Sequence, residues 1–301
     1  MLVGLVSDGH EVMEGQDGQG GQSNRFKQVF KYYKRRRPAP SLDQVLDPRN
    51  PLHGDHFTPL ELQEGEGGGG ADLRPVKEWR GVGVKGVSGL VVVTGVLGKE
   101  EQVEWASVCL EEYSGQGRRN IDALGEVGEG EWWGRCEQEG RLVDRLRWVT
   151  LGYHHDWDTK EYSEEARDPL PPALATLAAE VMAAMGWRGY RAEAAIVNYY
   201  PTSATLSPHT DHSERDLSQP LVSVSLGLSA VFLVGGPTLA TAPTPLLLRS
   251  GDVLVMAREA RLAYHAVPRV LAGTWEGGRQ GRVAEYLNNH RINLNIRQVN
   301  S

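Results

Sequence analysis

The chain has 301 residues, 24% of them charged and 40% hydrophobic, which is enough for a large core in one or two domains. Two cysteines, Cys109 and Cys136, are too few for a disulfide framework or a cysteine-held zinc, so any metal falls to His and carboxylate. The net charge of −7 excludes a uniformly basic nucleic-acid binder, yet the stretch Arg25–Arg37 carries seven cations and no acid, leaving −14 on the rest. No apolar run approaches a bilayer span, and Met1–Gly20 lacks the basic start and apolar middle of a secretory signal. An intracellular, monomeric protein away from membranes is expected.

Residues 1–23 are rich in Gly, Gln and Asp and are expected to be disordered. Asn24 is placed to cap a helix over 24–37, with Phe26, Phe30 and Tyr33 on one face. Arg25, Lys27, Lys31, Lys34, Arg35, Arg36 and Arg37 are then offered either to solvent, from a docked terminal helix, or to phosphates. The run Lys34–Arg37 also has the character of a nuclear localisation patch, which favours the nucleus over mitochondrion or cytoplasm. Residues 38–75, with their prolines and a run of glycines, predict a flexible linker. Gly81-Val-Gly83-Val-Lys-Gly86 matches a dinucleotide fingerprint, but a strand (Leu90–Val93) follows where that site needs a helix, so it is rejected.

Over 76–190 the pattern predicts a supporting region of helices and strands. The spacing of Val103, Ala106, Leu110 and Tyr113 predicts a packing helix over Lys99–Tyr113, and Leu146–Tyr153 predicts a strand. The loop that follows carries Tyr153, His155, Trp157 and Tyr162, read as a substrate lid with aromatic faces, and a helix is expected from Pro172 to Met185. From 191 to 301 short alternating strands succeed one another, as in Val222, Val224, Leu226 and Leu228. Turns such as Ser250-Gly-Asp252 punctuate them. The expected fold is mixed α+β, with a double-stranded β-helix (jelly roll) core and flanking N-terminal helices.

Chemistry concentrates in three places. His209-Thr210-Asp211 follows an apolar run, and alternate residues of an extended chain aim an imidazole and a carboxylate at one point. His265 is a candidate third ligand, completing the facial triad that holds non-heme Fe(II) and leaves positions open. In Arg291-Ile-Asn293-Leu-Asn295-Ile-Arg297 the two arginines and two asparagines share one face, and guanidinium groups turned into a barrel require anions. A dicarboxylate would supply one anionic end to each, with Asn198 and Tyr200 completing its hydrogen bonds.

His209-x-Asp211, His265 and Arg291-x-Asn293-x-x-x-Arg297, preceded by Asn198-x-Tyr200, resemble the signature of the AlkB-type Fe(II)/2-oxoglutarate dioxygenases. Phrases such as Leu146-Arg-Trp-Val-Thr-Leu-Gly-Tyr153 and His265-Ala-Val-Pro-Arg-Val270 resemble the AlkB homologue-1 group. The resemblance covers residues 24–37 and 76–299. It implies Fe(II) on His209, Asp211 and His265, with 2-oxoglutarate and O2 as co-substrates. It also implies a keto-acid end near Arg297 and a far carboxylate on Arg291 and Tyr200. The implied reaction removes an N-methyl group from a base as formaldehyde, the base being unpaired or drawn from its stack. N6-methyladenine in DNA and methylated adenine in tRNA both fit. A protein hydroxylase and a non-catalytic jelly-roll module are the other readings.

Overall fold

A computed structural model of the chain describes residues 24–64, 73–122, 132–278 and 280–301. The expected disorder of 1–23 lies outside these residues. The first described element is helix α1 (Arg25–Lys34), begun by Asn24, whose side-chain oxygen accepts the Lys27 N–H at 2.8 Å. It stops three residues short of Arg37, where Arg35 turns to extended backbone. Phe26, Phe30 and Tyr33 are all buried, each worth about 2 kcal/mol of apolar burial.

The linker expected over 38–75 is ordered through most of its first half, which corrects that reading. Val45 is buried, Leu46 bridges to Leu246, and a 3-10 turn at Pro51–His56 leads into strand β1 (Phe57–Leu60). The turn is capped by the Asn50 side chain on the Leu52 N–H, and ion pairs Arg49–Asp252 and Asp47–Arg249 tie the segment down. These are tertiary contacts, invisible to local composition.

Strands β2 (Arg80–Val84) and β3 (Leu90–Thr94) form an antiparallel hairpin, so the glycine motif is the body of a strand with the start of its turn. Helix α2 (Lys99–Glu111), the two-residue strand β4 (Arg118–Arg119), short helix α3 (Trp132–Arg135), β5 (Trp148–His155), β6 (Tyr162–Arg167) and helix α4 (Pro172–Ala184) follow. Then come β7 (Ala194–Pro201), β8 (Leu206–His209), β9 (Leu221–Gly227) and β10 (Ala230–Val234). The chain closes with β11 (Thr244–Leu248), β12 (Val253–Met256), β13 (His265–Val270), helix α5 (Arg282–Asn289) and β14 (His290–Arg297).

Two sheets face each other in a jelly roll. The larger runs β1-β2-β3-β12-β9-β14-β7-β5-β4 with β6 on β5, and the smaller runs β11-β10-β13-β8. Apolar residues such as Leu90, Phe232, Leu246 and Met256 fill part of the space between them. Ile292, Leu294 and Ile296 of β14 turn the other way, into a core shared with α2, α4 and α5. Helix α1 covers the outside of the smaller sheet through Val231, Leu233 and Ala266. Among the described residues no helix is long and apolar enough to cross a membrane.

Candidate active site

β8 and β13 pair so that His209 and His265 stand directly opposite each other. Cross-strand partners project from the same face, and the two imidazoles lie 4.2 Å apart, centre to centre. Asp211, two residues beyond β8, completes the group, with ligand atoms of all three residues within 4.8 Å of one another. Nδ1 of His209 is 2.9 Å from the Ser207 carbonyl, and Nδ1 of His265 is 3.1 Å from the Ala263 carbonyl. As donors to those carbonyls, both rings present Nε2 as a lone pair toward the carboxylate, 3.8 and 3.7 Å away. Oδ2 of Asp211 is buried and without a hydrogen-bond partner among the described residues. Burial alone would raise the Asp211 carboxyl, but Arg297, with His265 and His209, holds it well below the ordinary carboxylate range. Burial, with His209 beside it, pushes His265 down to about 4. Two imidazoles and a carboxylate form a donor set suited to a divalent first-row cation.

β14 lies between β7 and β9, and its polar face points into the barrel as the alternation predicts. Arg291, Asn293 and Arg297 are each at most 5% exposed. The expectation that a ligand must neutralise both arginines fails for Arg297. Arg297 is already bonded to Asp211 Oδ1 at 3.0 Å, to Glu214 Oε1 at 3.0 Å and to the Tyr162 hydroxyl at 3.1 Å. Arg291 donates to Ser225 Oγ at 3.0 Å, with Tyr200 alongside, while its Nε and one terminal nitrogen are buried with no partner among the described residues. An unpaired buried guanidinium is costly, so this is where an anionic end of a ligand fits. Asn293 spends its amide protons on Ser223 and Val224, which makes it a wall of this chamber.

A cleft of about 280 Å³ opens onto the triad, lined by Trp148, His155, Trp157, Asn198 and Arg297 among others. The Trp148 and Trp157 rings are 5.2 Å apart, and His155 meets Trp157 edge-on at 4.6 Å. Of the four aromatic residues predicted as a lid, His155 and Trp157 are at the cleft. Tyr153 is not: its hydroxyl donates to Glu164 on the far side of β5, within a small cluster with Ala194 and Val299. The alternation fails at Gly152, whose φ is +71° and where a Cβ would fall 2.1 Å from the Glu193 carbonyl oxygen. Tyr162 is buried against Arg297 and Glu214 and acts as a support, its phenol pushed up to about 12 by burial. Glu214 and Arg261, both fully buried beside the triad, carry no local sequence signal. On α1, the side chains of Arg25, Lys27, Lys31 and Lys34 are exposed, as are Arg35, Arg36 and Arg37 just after it.

The model of the 2OG-Fe(II) oxygenase superfamily matches residues 89–297, a span that holds the triad and both arginines. This chain belongs to the 2OG-Fe(II) oxygenase superfamily. Among curated relatives, the oxygenase is 36% identical to nucleic acid dioxygenase ALKBH1 of Mus musculus over 83% of this chain and 71% of that one. It is 37% identical to tRNA demethylase abh1 of Schizosaccharomyces pombe over 62% of each chain. It is 40% identical to DNA N(6)-methyladenine demethylase ALKBH1A of Arabidopsis thaliana over 52% and 50%. It is a dioxygenase of the AlkB homologue-1 type, with Fe(II) as its metal and 2-oxoglutarate as co-substrate. His209, Asp211 and His265 fit that metal by donor set and by the unpartnered Oδ2, and Arg291 fits the co-substrate by its unpaired nitrogens.

Proposed function

We propose that this dioxygenase demethylates nucleobases, with N6-methyladenine in unpaired or single-stranded DNA as its foremost substrate. The observation that carries this reading is the cleft itself. Trp148 and Trp157 offer flat apolar faces at the mouth of the metal site, and the buried Trp157 Nε1 and His155 Nδ1 have no partner within the described residues. A flat heterocycle with hydrogen-bonding edges matches such walls, and it reaches them only when flipped or unpaired. Burial, with Arg297 beside it, pushes His155 down to about 4, so the ring stays neutral against an uncharged base.

In this reading Arg291 and Tyr200 hold the far carboxylate of 2-oxoglutarate, and Asn198 lines the approach. Arg297 steadies the metal-holding carboxylate near the keto-acid end. Bound iron with its co-substrate supplies the oxidant for the methyl group; the protein's residues orient base and co-substrate and exclude water. The exposed cations of α1 and the Arg35–Arg37 run engage phosphates.

Methylated adenine in tRNA is the second reading, favoured by the relative named for that activity. Incubating methylated DNA and tRNA with enzyme, Fe(II) and 2-oxoglutarate, then measuring nucleosides by mass spectrometry, separates the two. Loss of N6-methyladenine from single-stranded DNA supports the first. Turnover of a peptide alone would point to a protein hydroxylase, and no succinate release at all to a binding module.

A further inference from the structure

Beside the triad lies a second layer of charge that the donor set does not need for coordination. Arg261 sits on the 3-10 turn Arg258–Leu262, its side chain 2% exposed. Its Nε donates to the Gln219 carbonyl at 2.9 Å, and one terminal nitrogen to the main-chain carbonyl of Asp211 at 2.6 Å. The other terminal nitrogen meets Glu214 Oε2 at 2.6 Å. Glu214, with no exposed side-chain surface, accepts from Arg297 on its second oxygen at 3.0 Å, and Arg297 reaches Asp211 Oδ1 at 3.0 Å. The contacts therefore close on themselves. They leave the Asp211 carbonyl, pass through Arg261, Glu214 and Arg297, and return to the Asp211 carboxylate.

We propose that Glu214 and Arg261 are positioning residues for the metal-ligating carboxylate, gripping Asp211 by main chain and side chain at once. Stability alone does not account for four buried charges, because well-packed apolar residues are usually as stable in such a place. Geometry does. With Oδ1 taken by Arg297, Oδ2 is left as the unpartnered oxygen beside His265. Charge gives the second reason. Two guanidiniums and two carboxylates sum to zero before a dication arrives; without Glu214 the dication joins two guanidiniums against one carboxylate. The inference rests on the metal centre and on no choice of methylated substrate.

The test is Mn(II) alone, titrated calorimetrically without 2-oxoglutarate into wild type, Glu214→Gln and the double variant Glu214→Gln/Arg261→Met, each checked by circular dichroism. In Glu214→Gln the metal Kd should rise roughly 10- to 100-fold, the usual effect of losing an outer partner of a ligand. The double variant, balanced in charge again but without its hold on the Asp211 carbonyl, should fall between the other two. A Glu214→Gln affinity equal to wild type overturns the proposal, as does a double variant no tighter than the single. If Glu214→Gln does not fold, the double variant decides: weaker binding than wild type supports the proposal and equal binding overturns it. Failure of wild type itself to bind Mn(II) would instead strike the metal centre.

Discussion

The guanidinium of Arg291 lies 5.2 Å from the ring centre of Tyr200, and two of its nitrogens have no partner among the described residues. Burial lowers its hold on its own proton while only Tyr200 helps to retain it. A carboxylate arriving there completes a buried pair, and truncating one partner of such a pair costs about 2–5 kcal/mol. Arg291→Gln should therefore raise KM for 2-oxoglutarate by roughly 30- to 4,000-fold, with a far smaller change in kcat. Arg291→Lys should not rescue it, because the fork geometry is lost. An unchanged KM would place the anionic end elsewhere.

The Trp148–Trp157 pair predicts a separable effect on the nucleic-acid substrate. Base–aromatic stacking is worth about 1–3 kcal/mol, so Trp157→Ala should raise KM for a methylated oligonucleotide by roughly 5- to 150-fold. Succinate release without nucleic acid should stay at the wild-type rate. If that rate falls as well, Trp157 shapes the metal site instead of the substrate cleft.

Replacing Lys27, Lys31 and Lys34 together by Gln should weaken oligonucleotide binding and lower the slope of log K against log salt by about 2–3. Thermal stability should hardly move, since these side chains are exposed while Phe26, Phe30 and Tyr33 keep their packing. Phe30→Ala should do the reverse, costing about 3 kcal/mol of stability with the salt slope intact. Fluorescence anisotropy over a salt series reads the slope.

The metal-free protein should lose stability as pH falls from 6.5 to 4. His155 and His265 are both pushed down to about 4, chiefly by burial, so in this window the unfolded chain holds protons that the folded chain refuses. Asp252 works against them. Burial, despite Arg49, pushes its carboxyl up to about 6, so the folded chain holds an extra proton at low pH and that contribution is lost as pH rises through 6. Two histidines outweigh one aspartate, and Asp252→Asn should steepen the acid-side fall in Tm. A melting temperature flat between pH 4 and 6.5 would contradict this.

The inward face of β14 is legible because period-2 spacing survives along that strand, and the triad because its His-x-Asp pair and His265 stand in a recognisable signature. Three things were not. Tyr153 falls outside the cleft because Gly152 breaks the alternation of β5, and only its positive φ reveals this. The pairing of Arg297 with protein acids depends on Glu214, whose partners lie 47 and 83 residues away along the chain. The segment 45–60 has a linker's composition but is fixed by Leu46 on Leu246 and β1 on β2, contacts that no local pattern encodes.

Helix α1 buries Val231, Leu233 and Ala266, and Ala266 directly follows the ligand His265. Cutting the amino-terminal arm away would thus bare the rear of the strand that carries an iron ligand. A truncated enzyme that no longer touched DNA would then be ambiguous between a lost grip on phosphate and a slackened metal cage. Charge swaps on the intact helix keep those two causes apart.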